Sequence, residues 1–236
     1  MRIAECVYSQ HAGGRRTETM DSHLLDRLAT EGSSASRRAQ THAELRACAR
    51  GVAVGFLVAA TISLGWLGLR RDIELTSGTT IFWVKVAFPV LLAALAGWTV
   101  GRSAHPGQSL RVPLAALAGV VVLFWSVTLT RPLIGMEVVD WGADLWGQSW
   151  RECILYIALM SLPMCLPAMI WLRRWGPVRP RLAGAALGWC CGTVAAALYA
   201  LHCRETGLAF LGVWYLAGAA VPALLGASMG RWWLSW

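Results

Sequence analysis

After Arg50 the chain is a succession of apolar runs about 20 residues long, each followed by a short charged or Gly/Pro-rich segment. An α-helix needs about 20 apolar residues to cross the roughly 30 Å hydrocarbon core of a bilayer. Six segments meet this requirement: 51–69, 80–100, 112–130, 153–172, 182–201 and 208–229. The sequence therefore predicts an all-α fold, a six-helix transmembrane bundle formed by residues 51–236.

The composition agrees with a membrane protein. Charged residues make up 14% of the chain, whereas soluble domains carry about 25%. A net charge of +8 would suit a nucleic-acid-binding protein, but such proteins cluster their basic residues on a polar domain. Here only residues 1–50 are polar. The composition excludes a soluble enzyme and a disulfide-stapled miniprotein, and no direct contact with nucleic acid is expected.

The placement of arginine predicts the orientation of the bundle. If the N-terminus is cytoplasmic, segments 1–50, 101–111, 173–181 and 230–236 lie inside, and they carry eight, two, four and one Arg. The outside segments carry five, together with all seven acidic residues that follow residue 50. Because basic loops stay in the cytoplasm, both termini are predicted inside. Abundant Arg with a single Lys is typical of a GC-rich bacterial genome, which places the protein in a bacterial inner membrane.

Residues 1–50 form the predicted cytoplasmic tail. Residues 1–19 show no periodicity, and Met20 begins a more ordinary protein start, so we expect 1–19 to come from a start site assigned too early. Leu24, Leu25 and Leu28 give residues 21–30 the apolar stripe of a short amphipathic helix. Such a helix can bind in the groove of a partner protein, although a tail without a binding role stays an alternative.

Two of the seven cysteines stand out by position. Cys153 opens the fourth span from the outside, and Cys203 follows the fifth span on the same side. Since these spans are joined by only nine residues, they should form an antiparallel hairpin with both thiols at one depth in an oxidising compartment. A structural disulfide, a redox-responsive thiol pair, a soft-metal site and the absence of any role all stay open.

The metal interpretation needs further ligands beside the two thiols. His202 directly precedes Cys203, and Met136 lies in the longest outer segment. Adjacent helical residues point about 100° apart, so the helix must end there for His202 and Cys203 to bind one ion. Thiolate and imidazole ligands suit soft metals. No resident cofactor is expected, only a transient soft-metal ion at Cys153, Cys203 and His202.

Other features of the spans point to packing rather than catalysis. Gly184, Gly188 and Gly192 recur at four-residue spacing, a face that allows close contact between helices. Lys85 lies within the second span, either as a side chain that reaches up to the interface or as a functional buried cation. No catalytic or phosphate-binding motif is present, and the spans contain no Asp or Glu, which disfavours an ion-coupled transporter. The sequence predicts a signal-transducing protein and not an enzyme.

Several stretches resemble the NrsF-like integral membrane anti-sigma factors. They are WREC at 150–153, LPMCLPAMIWLRR at 162–174 and the whole of 179–236, including YALHC, AFLGVWY and the terminal Gly230–Arg231–Trp232. Within them the chain departs from the family in RRWGPVRP, where a smaller residue before Pro is more usual, and in Arg204, where Pro is frequent.

The resemblance implies an inner-membrane negative regulator that holds an extracytoplasmic-function sigma factor inactive until an outside stress releases it. It also implies that two periplasmic cysteines sense heavy-metal or oxidative stress, and Cys153 and Cys203 stand at the matching positions. The cytoplasmic tail, with Leu24, Leu25 and Leu28, is the expected partner-binding segment. The alternative is a membrane thiol oxidoreductase that passes electrons between periplasmic cysteines and quinone, with Cys190 and Cys191 as its second thiol pair.

Overall fold

A computed structural model describes residues 50–68, 78–103, 107–133 and 140–233. The chain divides into two units, Met1–Ala47 and Cys48–Trp236, and every described residue belongs to the second. These residues form helices and turns with no strand among them, so the all-α class is confirmed. The predicted tail helix with Leu24, Leu25 and Leu28 lies outside the described residues.

The described residues form seven helices, labelled here in chain order. They are α1 at 50–61 with a π-helical continuation Ile62–Leu67, α2 Thr80–Ser103, α3 Arg111–Thr130, α4 Trp141–Trp146, α5 Trp150–Trp175, α6 Pro180–Tyr199 and α7 Leu208–Trp233. A second π-helical segment, Leu211–Tyr215, interrupts α7.

Five of these helical segments are long and apolar enough to cross a membrane: α2, α3, α5 with the preceding α4, α6 and α7. Their bounds agree with the predicted spans to within four residues, apart from the additional helix α4. In the region of the first predicted span, 51–69, the apolar helix covers Arg50–Gly65. This helix is shorter than the length needed to cross a membrane. The count of six spans therefore stays a prediction.

The hairpin of α5 and α6 follows from local sequence signals. α5 ends at Gly176, whose left-handed backbone (φ 57°) is the usual glycine-dependent helix stop. α6 starts four residues later with Pro180 at its first position, where the missing amide hydrogen costs nothing. The buried stripe of α5 recurs every three or four residues, as expected for one helix face: Cys153, Ile157, Met160, Met164, Ala168 and Leu172.

Helix α6 is the central element of the bundle, because α7, α2 and α5 all pack against it. Its contact with α7 brings the two backbones together. A methyl group added at Gly184 would collide with the carbonyl of Gly226, and one added at Gly188 would collide with the carbonyl of Pro222. Gly192 faces Ala219 in the same way. Small residues allow this approach, which strengthens dispersion contacts between membrane helices.

We expect Gly188→Leu to destabilise the bundle, since the leucine must displace α7. Overpacking of this kind costs about 1–3 kcal/mol. Gly119→Leu is the matched control, because nothing lies within 4 Å of a side chain added at this exposed position in α3. Thermal unfolding of both variants in detergent, followed by size-exclusion chromatography, checks the prediction. Equal melting temperatures for the two variants would contradict it.

Candidate functional site: a buried thiol pair

The two predicted thiols lie together at one end of the bundle, which is called the thiol end from here on. Cys153 stands in the first turn of α5, and Cys203 follows the end of α6. The amides of His202 and Cys203 both donate to the carbonyl of Tyr199, at 3.0 Å each, which closes α6 in a tight turn. Both cysteines are free thiols, 0% and 3% exposed, in the same apolar cluster. The thiol of Cys153 lies within electrostatic reach of the thiol of Cys203.

A buried lysine holds the turn that carries Cys203. Nζ of Lys85, from α2, donates to the carbonyl of Cys203 at 2.7 Å and to that of Glu205 at 2.6 Å. Its side chain is 3% exposed, so the ammonium group is buried among protein groups. Carbonyls that follow a helix end have no partner within the helix. An ammonium group satisfies them with charge-assisted hydrogen bonds, the stronger class.

Two buried tyrosines complete the surroundings of the thiols. Tyr199 and Tyr215 are each 1% exposed, and their rings pack edge to face with centroids 6.1 Å apart. The hydroxyl of Tyr215 lies beside the thiol of Cys203. It has no hydrogen-bond partner of good geometry within the described residues. Sequence reasoning did not assign a role to either tyrosine, although both lie in the stretches YALHC and AFLGVWY.

A short segment before α5, residues 140–149, packs against Glu205 and the start of α7 and is called the cap. Glu205 binds it, since the carboxylate oxygen Oε1 accepts from the amide of Gln148 at 2.8 Å and from the hydroxyl of Ser149 at 3.2 Å. In the opposite direction, the carboxylate of Asp144 in the cap accepts a hydrogen bond from the amide of Ala209 at 3.1 Å. The cap is thus fastened to the segment after α6 through Glu205 and to the first turn of α7 through Asp144.

Tryptophans fasten the cap to α7. The indole nitrogen of Trp214 donates to the carbonyl of Leu145 at 2.7 Å, and the rings of Trp146, Trp150 and Trp214 pack together with centroids 4.8 to 5.8 Å apart. The sequence predicts that the loop 131–152 lies along the membrane surface. Trp146 stays 53% exposed, and residues 140–149 of this loop include helix α4 and bind Glu205 and Trp214.

His202 does not join the two thiols in a metal-binding arrangement. Its Nδ1 lies 3.0 Å from the carbonyl oxygen of Gly68, which can only accept, so that nitrogen carries the proton. Among the described residues no three His, Cys, Asp or Glu side chains converge as metal ligands. Met136 lies outside the described residues. The site with Cys153, Cys203 and His202 as ligands stays a prediction that this conformation does not support.

The remaining described cysteines lie deeper along the same helices. Cys165 of α5 interacts with Cys191 of α6, whereas Cys190 donates to the carbonyl of Ala93 in α2 at 3.4 Å. Neighbouring residues of a helix point about 100° apart, so Cys190 and Cys191 face different helices. They do not form the second thiol pair that an oxidoreductase would need at these two positions.

Comparison with known proteins shows the family of this chain. The NrsF family model, described as negative regulator of sigma F, matches residues 33–236. The chain belongs to the NrsF family. No solved structure matches this NrsF-family chain.

Two curated relatives cover most of the NrsF-family chain. A probable anti-sigma-F factor NrsF of Azospira oryzae is 37% identical over 178 residues, 75% of this chain and 83% of the relative. The anti-sigma-F factor NrsF of Caulobacter vibrioides is 34% identical over 220 residues, 90% of this chain and 98% of the relative. The NrsF resemblance predicted from the sequence is confirmed, and the chain is a member of a family of negative regulators of a sigma factor.

We expect Glu205→Ala to open the cap and expose the thiols. The variant loses both carboxylate hydrogen bonds to the cap, and a bond to a charged group contributes up to about 1.5–3 kcal/mol. Each loss of about 1.4 kcal/mol raises the open fraction tenfold. The measurement is the rate at which N-ethylmaleimide alkylates Cys153 and Cys203 in the folded protein, read by peptide mass spectrometry.

Arg204→Ala serves as the matched control, since Arg204 is the exposed neighbour of Glu205. Its alkylation rate should equal that of the unmodified chain. A Glu205→Ala rate no faster than the Arg204→Ala rate would show that Glu205 does not hold the cap closed.

Proposed function

We propose that this chain is an inner-membrane anti-sigma factor that holds an extracytoplasmic-function sigma factor through its N-terminal tail. It releases the sigma factor when Cys153 and Cys203 change their bonding state. Membership of the NrsF family supports the regulatory part. The observation that carries the sensing part is the burial of both thiols where α2, α5, α6, α7 and the cap meet.

The distribution of charge supports an outward-facing thiol end. The helix ends and turns that meet there carry Asp140, Asp144, Glu152 and Glu205. The opposite ends of the helices carry seven of the arginines that follow α1: Arg102, Arg111, Arg173, Arg174, Arg179, Arg181 and Arg231. Positive charge stays in the cytoplasm. This distribution supports the proposal that the thiol end faces the periplasm, with both termini in the cytoplasm and the tail on the side where a sigma factor is found.

Either of two reactions can change the bonding of the thiols. With a peroxide as oxidant, two S–H bonds break and one S–S bond forms, and the peroxide takes up two electrons and two protons to leave as water. With a soft divalent ion such as Cd²⁺, two thiolates bind the metal and two protons are released. Because both thiols are buried, each reaction requires the thiol end to open first, and the proposed opening is a movement of the cap.

A bond between the thiols acts on the whole thiol end. A disulfide holds its Cα atoms about 4.4–6.8 Å apart, which fixes the turn after α6 against the first turn of α5. Lys85 ties that same turn to α2, and Glu205 ties it to the cap. The turn therefore cannot move without changing contacts to α2 and to the cap. A signal reaches the tail if the sigma factor binds the two resulting bundle states with different affinity.

Deletion of residues 21–45 is expected to abolish retention of the sigma factor, because it removes Leu24, Leu25 and Leu28. The measurement is the recovery of sigma factors with the solubilised protein from native membranes, read by mass spectrometry. Deletion of residues 2–19 is the matched control and should leave recovery unchanged. A sigma factor that still co-purifies without 21–45 would refute binding through the tail.

The double substitution Cys153→Ser, Cys203→Ser is expected to retain the sigma factor under stress. Complexes in lipid nanodiscs are exposed to CdCl₂ or hydrogen peroxide, and the released sigma factor is quantified. The unmodified chain and the control Cys190→Ser, which keeps a hydrogen-bond donor toward Ala93, should both release it. Full release from the double variant would eliminate the sensing role of this pair.

A further inference from the structure

The hairpin of α5 and α6 carries a second pair of thiols below the first. Cys165 follows Cys153 by 12 residues on α5, and Cys191 precedes Cys203 by 12 residues along α6. In an antiparallel hairpin, residues at similar distances from the connecting turn lie at similar depth, and Cys165 precedes the end of α5 by 10 residues while Cys191 follows the start of α6 by 11. Cys165 and Cys191 are both free thiols, and their side chains interact.

The neighbouring thiol of Cys190 is directed elsewhere. Its Sγ donates to the carbonyl of Ala93, and it is the nearest atom to a side chain added at Gly97 of α2, at 3.8 Å. Cys190 therefore faces α2, while Cys191 faces α5. The described residues contain no group of three metal ligands, so the chemistry available at this depth is that of two thiols.

Access to this deeper pair differs from access to the first. Cys191 is 6% exposed, but Cys165 is only partly buried, and Leu162 and Leu166 beside it are 39% and 56% exposed. This surface of α5 belongs to the middle of an apolar spanning segment. A reagent that reaches Cys165 must therefore be uncharged and soluble in lipid, because a charged group in the bilayer core is costly.

The backbone around Cys165 can adjust to a new bond. Pro163 and Pro167 flank it, one turn apart, within α5. Each proline removes an amide donor and interferes with the carbonyl of the preceding turn, and such positions are the usual places where helices bend. Disulfide formation requires Cβ atoms about 3.5–4.5 Å apart, a distance that a small bend of α5 toward α6 can supply.

We propose that Cys165 and Cys191 form a membrane-embedded dithiol that is oxidised to a disulfide by a lipid-soluble quinone. Two S–H bonds break and one S–S bond forms. The two electrons and two protons pass to the quinone, which becomes the hydroquinone. Cys165 meets the quinone at the lipid surface, and Cys191 supplies the second sulfur. The disulfide joins α5 to α6 and is independent of the cap, of the first pair and of sigma-factor binding.

The test uses the full chain in lipid nanodiscs treated with decylubiquinone, which is fully substituted on its ring and forms no thiol adduct. Non-reducing peptide mapping should find a Cys165–Cys191 disulfide, about 2 Da lighter than the two reduced peptides because two hydrogens are lost. Cys190→Ser should give the same disulfide yield. Cys191→Ser should leave Cys165 reduced, since Cys190 faces α2.

Two results would overturn the proposal: Cys165 that stays reduced in the unmodified chain, or Cys165 bonded to Cys190 with equal yield in Cys191→Ser. Both are read from peptides and need no sigma factor. A missing sigma factor would refute the proposed function and leave this disulfide chemistry untouched. A missing Cys165–Cys191 disulfide would refute this inference alone.

Discussion

The arrangement of the thiol end depends on one buried ammonium group. α6 ends at Tyr199 inside the bundle, and the carbonyls that follow would have no partner in an apolar surrounding. Lys85 supplies two short hydrogen bonds to them from α2. An unsatisfied polar group in this position costs several kcal/mol, so the lysine determines where the turn with Cys203 lies. The same turn carries Glu205, which fastens the cap. The position of the cap thus depends on Glu205, and the position of Glu205 depends on Lys85.

The close approach of α6 and α7 gives this site a rigid support. Glycines bring the two backbones together along Gly184, Gly188 and Gly192, and Tyr199 of α6 packs against Tyr215 of α7 nearer the thiol end. Both π-helical segments, Ile62–Leu67 and Leu211–Tyr215, lie near this end of the bundle, and π-helical turns are frequent at functional sites. The first approaches the end of α6 through Ser63, whose hydroxyl donates to the carbonyl of Leu198 at 3.4 Å. The second places Tyr215 beside Cys203.

Family membership and the structure answer different questions about this protein. The match over residues 33–236 makes the chain a member of a family of negative regulators of a sigma factor. The described residues show the contacts at the thiol end. Both thiols are free and buried, Glu205 binds the cap, and Lys85 joins α2 to the turn that follows α6. Their chemistry differs between the two depths of the hairpin. The outer pair is buried at the thiol end, whereas Cys165 is only partly buried in the middle of an apolar segment, so that the two pairs suit reagents of different solubility.

The sequence by itself determined the class and most helix bounds, because a membrane helix satisfies its own backbone and needs only a run of apolar residues. It also determined that Cys153 and Cys203 share one end, since chain direction in a short hairpin leaves no other choice. Only the tertiary structure decided what each side chain meets. The rotation of a helix about its axis depends on its neighbours, so the sequence did not separate the directions of Cys190 and Cys191, the partners of Lys85 or the fold of the cap. These contacts join residues far apart in the chain, and no local pattern encodes them.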